Sequence, residues 1–286
     1  MTAAEYFDMS AAPLRIGTVR LKVRDLNAVS SFYQSVLGLS PVATLEDRIT
    51  LGTGTTPLLE LVGDPTLASH DPRQAGLFHT AFLMPTRADL GLWVAHVAGA
   101  RVPLQGASDH IVSEALYLAD PEGNGIEVYA DRRVSDWHGA SGEIRMSTDP
   151  LDLQDLLQSA EGTEWSGFPE AGSVGHVHLQ VGDTAEADRF YRDVLGLDIA
   201  ARSPGASFYG SGGYHHQLAG NVWNSRRAST RPEGMAGLEA VEIHVRDAMN
   251  ITAIAERADS AGIASTRNAD GLTLRDPWGT AITLRN

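Results

Sequence analysis

Two stretches of the chain show the same alternation of apolar and polar residues, followed by the same change of period. In residues 17–24 and 175–182 the apolar residues recur at every second position, which is typical of a strand with one buried face. An Asp follows each stretch, then residues spaced for one helical face, then a Gly suited to end the helix. The alternating residues are Val19, Leu21 and Val23, and Val177, Leu179 and Val181; the Asp and Gly residues are Asp25, Asp183, Gly38 and Gly196.

These stretches are the start of an internal repeat. Residues 17–43 and 175–201 align without gaps and are identical at 12 of 27 positions. Both copies predict a strand, a helix and a turn into further strands. The chain is therefore built from related units rather than from one continuous pattern.

A second repeated pair is weaker. Residues 76–84 resemble 237–245 in position, and 118–129 and 274–284 share Asp-Pro-x-Gly before a last apolar strand. Pro presets φ and Gly accepts a positive φ, so this motif predicts a tight turn. The repeats predict four modules, each with one helix and three or four strands, at 13–65, 74–132, 173–225 and 235–286.

A linker, residues 133–172, separates the second module from the third and is rich in Gly, Ser and acidic residues. Within it, Asp149 is a good N-cap and Pro150 a good first residue for a helix. An apolar stripe follows, at Leu151, Leu153, Leu156 and Leu157. We expect a connecting helix that either covers one end of a barrel or is a plain linker, the commoner role of such a helix.

Composition narrows the chemistry. With no Cys among 286 residues, disulfides and thiolate metal sites are excluded, and any metal is held by His, Asp or Glu. A formal charge of −14 argues against a nucleic-acid partner. The acidic N-terminal segment lacks the apolar core of a signal peptide, and no apolar run reaches the ~18 residues of a membrane span. We expect a cytoplasmic protein without a membrane partner; homo-oligomerisation is left open.

The repeated motif HxxLxVxD…FYxxVLGL, followed by DPxGxxIEVY, resembles the vicinal oxygen chelate superfamily. This family includes glyoxalases, bleomycin-binding proteins, thiol transferases and extradiol dioxygenases. The resemblance covers nearly the whole chain. It implies an α+β fold in which four tandem βαβββ modules form two cupped, barrel-like domains around a metal.

The same resemblance implies where metal ligands should stand, on the first strand of each module and on the last strand of the second and fourth. The second module has His79 and Glu127 there, and the third has His176. The first and fourth modules have other residue types, at Thr18, Ala240 and Thr283. We therefore expect modules two and three to form one metal site, and modules one and four to form a barrel without ligands.

The stretch YHHQLAGN, residues 214–221, matches the last strand of the third module, where extradiol dioxygenases carry an acid–base His. His216 occupies that position. His215 points to the opposite face of a strand, where it either bonds structurally or reaches the substrate. Gln217 cannot supply the carboxylate that a glyoxalase is expected to have nearby.

Other candidates surround this set. Tyr117 stands ten residues before Glu127, as in extradiol enzymes, and His110 resembles a His of theirs with a spacing that differs by two. His178 shares a strand face with His176 and either lines the pocket or competes as a ligand. Three further residues line the substrate cavity or pack beside it, namely Asn221, Trp223 and Tyr129.

Two His and one carboxylate form the facial triad of non-haem Fe(II) oxygenases, and Mn(II), Zn(II) or Ni(II) also suit such a site. Within the family the closest resemblance is to bacterial catechol 2,3-dioxygenases, which implies an aromatic diol and O₂ as substrates. Two alternatives remain open. They are another metal enzyme of the fold, such as a glyoxalase-like lyase or isomerase, and a metal-free aromatic-binding or resistance protein.

Overall fold

A computed structural model describes residues 5–160, 164–269 and 271–286. Two parts of the sequence interpreted above lie outside these residues. They are the first four residues of the N-terminal segment, and Glu161 and Gly162 at the end of the motif interpreted as the linker helix. Within the described parts, sixteen strands and five α-helices follow one another in the repeating order that the sequence predicts.

The first two modules each contain one strand, one helix and three more strands. The first comprises β1 (Leu14–Val23), α1 (Leu26–Leu37), β2 (Ser40–Thr44), β3 (Arg48–Thr53) and β4 (Thr56–Gly63). The second comprises β5 (Gly76–Met84), α2 (Arg87–Gly99), β6 (Gly106–Asp109), β7 (Ser113–Ala119) and β8 (Gly125–Asp131).

The linker adds one short helix, α3 (Leu153–Gln158), and two further modules follow it. The third comprises β9 (Ser173–Gln180), α4 (Thr184–Asp188), β10 (Asp198–Ser203), β11 (Ala206–Gly210) and β12 (Leu218–Asn221). The fourth comprises β13 (Gly237–Val245), α5 (Ala248–Ser260), β14 (Ser265–Asn268), β15 (Gly271–Arg275) and β16 (Ala281–Arg285).

The strands form two curled eight-stranded sheets, which confirms the predicted α+β class. One sheet has the order β14-β15-β16-β13-β1-β4-β3-β2 and so combines the first and fourth modules. The other has the order β10-β11-β12-β9-β5-β8-β7-β6 and combines the second and third. The modules join through antiparallel pairs, β1 with β13 and β5 with β9. We call the sheet of the first and fourth modules the outer sheet and the sheet of the second and third modules the inner sheet.

Local sequence explains the ends of the repeated helices. The side chain of Asp25 accepts a hydrogen bond from the backbone of Ala28, and that of Asp183 accepts one from Glu186, so both act as N-caps. Gly38 ends α1 with φ of 73°, a left-handed conformation that favours Gly. In the third module the helix continues past α4 as a π-helical segment, Arg189–Val194, which the sequence pattern does not predict.

The linker helix begins later than its sequence predicts. The backbones of Asp149 and Asp109 bond to each other, so Asp149 is extended and the N-cap is Asp152, whose side chain accepts from the backbone of Asp155. Of the predicted stripe, Leu156 is fully buried, whereas Leu153 is 40% exposed. The helix packs against α2, and the preceding linker residues, 143–148, are the ones that line the inner-sheet cavity.

A continuous apolar core joins the modules. The alternation predicted for β1 is confirmed by its burial pattern, since Val19, Leu21 and Val23 are fully buried between half-exposed neighbours. The same core includes Trp93 of α2 and Ile254 of α5. Of the helices in the described ranges, none combines the length and apolarity needed to cross a membrane.

Candidate metal centre

Three neighbouring strands of the inner sheet bring the predicted ligands together. β5 lies between β8 and β9, and Ala81 of β5 is aligned with Glu127 on one side and His176 on the other. His79 precedes Ala81 by two residues, and successive side chains of a strand alternate between faces. The register therefore places His79, Glu127 and His176 on one face of the sheet.

The ligand atoms of these three residues lie within 4.8 Å of one another. Both imidazoles approach the same carboxylate oxygen, since Nε2 of His79 is 2.9 Å and Nε2 of His176 is 3.3 Å from Oε2 of Glu127. All three side chains are buried. In the described part of the chain this is the one group of three or more His, Cys, Asp or Glu residues arranged to hold a metal.

The hydrogen bonding of this cluster fits a bound cation. Nε2 of His79 is buried and lacks a hydrogen-bond partner despite its short distance to Glu127. An unsatisfied buried polar atom is costly, and coordination of a cation by this nitrogen would satisfy it. The residues present thus fit a divalent metal held by two imidazole nitrogens and one carboxylate.

The charge states of two members also suit a metal. Burial lowers the pKa of His176 to about 4, so near neutral pH its imidazole is neutral and keeps the lone pair that a ligand needs. Burial alone would raise the pKa of Glu127. The adjacent His176 and His79 outweigh it and hold the pKa of Glu127 well below its ordinary value. The carboxylate is therefore ionised.

The cluster lies in a cavity of about 1070 Å³. Its wall is largely aromatic and apolar, with contributions from Phe78, Phe208 and Trp223. Residues 143–148 of the linker complete the lining. A concave site with an apolar wall and a few polar groups is the usual form of a small-molecule site.

Tyr117 and His110 lie beside the cluster. Tyr117 on β7 is aligned with Glu127 on β8, and both Tyr117 and His110 line the cavity. Nδ1 of His110 donates to the carbonyl of Ser147 at 2.5 Å, so in neutral His110 the other nitrogen accepts from the Tyr117 hydroxyl, also at 2.5 Å. Burial, and then the charge of Glu127, raise the pKa of Tyr117 well above its ordinary value, so it is a neutral phenol.

The sequence predicts that the two adjacent histidines lie in the last strand of the third module, but in the structure they precede that strand, β12. His216 lines the cavity, and its ring centroid is 4.1 Å from that of His176. His215 is fully buried and lies outside the cavity lining, with Nε2 2.9 Å from Asp131. Burial holds the pKa of His216 well below its ordinary value, so this imidazole is neutral.

The remaining candidates divide between wall and support. His178 and Trp223 line the cavity. Asn221 is fully buried behind His178 and donates its amide to Nε2 of that ring at 3.0 Å, so one of the two ring nitrogens of His178 is engaged, and His178 is not part of the ligand cluster. Tyr129 is fully buried and is not part of the cavity lining; its hydroxyl bonds to that of Tyr214 at 2.8 Å.

The outer sheet has a cavity of about 550 Å³ at the equivalent place. Thr18, Ala240 and Thr283 line it, as expected from their correspondence to His176, His79 and Glu127. The three groups needed for the ligand set are absent at these positions, so the two sheets share a fold and differ in chemistry.

Sequence reasoning missed Asp131 and Ser147, which hold His215 and His110. Asp131 follows Glu127 by four residues on β8, so a period of two puts both on one face of the strand. That spacing was a usable signal. Ser147 has none, because the linker that carries it is irregular.

Comparison with known proteins agrees with this architecture. The Glyoxalase/Bleomycin resistance protein/Dioxygenase superfamily matches residues 15–128 and 173–284. A catechol-2,3-dioxygenase of Bacillus subtilis (strain 168) is 35% identical over 267 residues, which cover 92% of this chain and 93% of that protein.

Two solved structures share the fold at low sequence identity. A putative dioxygenase from Bacillus subtilis has a TM-score of 0.63 and 15% identity, covering 94% of this chain and 84% of that one. Glyoxalase I from Zea mays has a TM-score of 0.59 and 15% identity, covering 96% and 93%. The family match over most of the chain and the 35% identical relative show that this protein belongs to the Glyoxalase/Bleomycin resistance protein/Dioxygenase superfamily.

Proposed function

We propose that this protein is an extradiol ring-cleaving dioxygenase that binds a catecholic substrate and O₂ at an Fe(II) ion held by His79, Glu127 and His176. One juxtaposition carries the proposal. The ligand cluster shares its cavity with a neutral imidazole, His216, and a neutral phenol, Tyr117. The relative named as a catechol-2,3-dioxygenase supports the same reaction class.

His79, Glu127 and His176 would hold the ion, and a divalent ion bound there would supply Lewis acidity toward the diol and O₂. The net reaction breaks the ring bond between one hydroxyl-bearing carbon and its unhydroxylated neighbour, and each of these two carbons receives one oxygen atom of O₂. The product is a ring-opened acid that carries a hydroxyl group and an aldehyde.

Protein groups move and hold the protons. His216 is suited to take the proton from one catechol hydroxyl and to return it later, because its neutral imidazole lines the cavity beside His176. The Tyr117 hydroxyl donates a hydrogen bond to His110, so the lone pairs of its oxygen are free to accept a hydrogen bond from the substrate.

A glyoxalase reaction is less well supported, because Gln217 cannot add a carboxylate. Its side chain is also engaged, with Oε1 accepting from the backbone of Ser211 at 2.7 Å and Nε2 donating to the carbonyl of the same residue. Among the side chains that line the cavity, the other carboxylate is Glu143, on the linker.

The test is anaerobic purification, metal analysis, and oxygen uptake with a panel of substituted catechols, with the yellow ring-cleavage product followed by absorbance. The proposal requires iron and one O₂ consumed per diol. Zinc or nickel without uptake would favour a lyase or isomerase, and protein that binds no metal would indicate a binding protein.

Two variants sharpen the test. His216→Ala should keep the metal and lose about 100-fold or more in kcat. His96→Ala is the matched control, because His96 lies on α2 and bonds to the carbonyl of Ser35, away from the cavity. It should retain both metal and turnover.

A further inference from the structure

Asp131 ends β8 and faces the same side of that strand as Glu127. Its Oδ1 atom lies 2.9 Å from Nε2 of His215 and accepts a hydrogen bond from the hydroxyl of Tyr214 at 3.2 Å. One strand thus carries a candidate metal ligand and, four residues later, a carboxylate bonded to a histidine outside the cavity lining.

A second short contact continues this chain of bonds into the cavity. Nδ1 of His215 is 2.8 Å from Nδ1 of His216, and His216 lines the cavity. Asp131, His215 and His216 therefore form one line of hydrogen bonds that runs from the end of β8 to the substrate space.

The direction of these bonds follows from the carboxylate. An ionised Asp only accepts, so Nε2 of His215 donates, and in a neutral ring Nδ1 of His215 is then an acceptor. Nδ1 of His216 must be the donor in the contact between the two rings. The proton of His216 is thereby fixed on Nδ1, and its Nε2 keeps a lone pair.

We infer that Asp131 and His215 are positioning residues that fix the tautomer and orientation of His216, so that its Nε2 lone pair is presented to the substrate. The inference rests on the acid–base role proposed for His216. Which nitrogen of a histidine carries the proton is set by the bond that the other nitrogen makes.

Packing holds His215 in the position that this arrangement needs. The ring is fully buried, with its centroid 4.0 Å from that of Tyr214 and 5.0 Å from that of Trp137. Trp137 is itself fully buried and donates its indole nitrogen to the carbonyl of Arg132. Aromatic neighbours on two sides leave His215 with Asp131 and His216 as its hydrogen-bond partners among the described residues.

The direct test is the tautomer itself. Protein labelled with ¹⁵N-histidine and loaded with diamagnetic Zn²⁺ is examined by long-range ¹H–¹⁵N correlation, with peaks assigned from single-histidine variants. We expect the Nδ1–H form for His216 and the Nε2–H form for His215. The opposite form at His216 would overturn the inference, whatever the substrate proves to be.

Variants then test the effect on His216. His215→Phe keeps the ring volume but removes the acceptor, so His216 should no longer be held in the Nδ1–H form and kcat should fall about 10- to 100-fold with little change in KM. His215→Asn retains an acceptor close to the position of Nδ1 and should recover part of that loss. Unchanged tautomer and kcat in His215→Phe would refute the inference.

Asp131→Asn and Tyr214→Phe together distinguish the hydrogen bond between His215 and Asp131 from the packing around His215. An amide at position 131 can donate as well as accept, so Asp131→Asn should mix the tautomers of both rings. Tyr214→Phe removes the other bond to Asp131 and should leave the tautomers of the wild type. An equal effect of the two variants would point to packing alone and overturn the inference.

If the wild type consumes no O₂ with any catechol, the proposed function fails while the tautomers still decide the positioning. If catechol is cleaved and His216→Ala retains full turnover, the acid–base role of His216 fails instead.

Discussion

Replacing Glu127 with Gln separates the metal's contribution to stability from that of the fold. Glu127 is 3% exposed, and its carboxylate approaches two imidazoles. Gln has nearly the same shape but is a neutral and much weaker ligand. We expect Glu127→Gln to abolish the stabilisation that metal gives, whatever the substitution costs the metal-free protein.

The size of the effect follows from linkage and burial. Metal at 100 times its Kd stabilises the folded state by about 2.7 kcal/mol. That corresponds to a melting temperature higher by roughly 5–10 °C. In the metal-free protein the two imidazoles hold the pKa of Glu127 well below its ordinary value, so near neutral pH the ionised carboxylate contributes to stability, and the neutral amide loses that contribution. The metal-free variant should therefore melt at or below the metal-free wild type.

The assay is thermal unfolding with excess metal and with a chelator. The wild type should lose roughly 5–10 °C on chelation and the variant less than about 2 °C. Glu114→Gln is the control, because Glu114 is equally buried but pairs with Arg87 and Arg132. It should be less stable in both conditions and lose as much on chelation as the wild type. A full chelation response in Glu127→Gln would refute Glu127 as a ligand.

Three other predictions concern the cavity and its counterpart. Tyr117→Phe should lower kcat about 10- to 100-fold with the metal retained, as measured by oxygen uptake and metal analysis; loss of metal would contradict a role confined to the substrate. Burial holds the pKa of His178 well below its ordinary value. Below about pH 6.5 the unfolded chain then binds a proton that the folded chain does not. The free energy of unfolding of the chelated protein should therefore decrease as the pH is lowered. Urea unfolding at two pH values measures how the free energy of unfolding depends on pH. The same dependence in His178→Asn would contradict its assignment to His178. Combining Thr18→His, Ala240→His and Thr283→Glu should raise the bound metal from one ion per chain to two; one ion would contradict the equivalence of the sheets.

The fold was largely predictable because its information is local and repeated. Strand alternation, Asp caps and the Asp-Pro-x-Gly turn each depend on residues close in sequence, and all four modules carry some of them. The start of α3 was not predictable in this way. Asp149 is a good N-cap by type, but it pairs with the backbone of Asp109, forty residues away, and the helix starts at the next suitable acid.

The site shows the same division between local and distant information. The family resemblance implied His79, Glu127 and His176 as ligands, and the strand register brings these three side chains to one face of the inner sheet. The partners that orient the acid–base groups are harder to identify. The period of two places Asp131 on the same strand face as Glu127, but nothing local pairs it with His215, 84 residues away, and Ser147 reaches His110 from an irregular linker.

The outer sheet bears on why the ligand cluster is present at all. It builds the same curled sheet around Thr18, Ala240 and Thr283, so the fold does not need two imidazoles and a carboxylate in this place. Burying His79, Glu127 and His176 leaves Nε2 of His79, the nitrogen that approaches the carboxylate, without a hydrogen-bond partner, which is destabilising in an unliganded protein. A costly cluster that the fold can do without is best explained by what it binds. For that reason the effect of metal on stability, with Glu127→Gln beside it, tests the basis of the proposed function before any substrate is known.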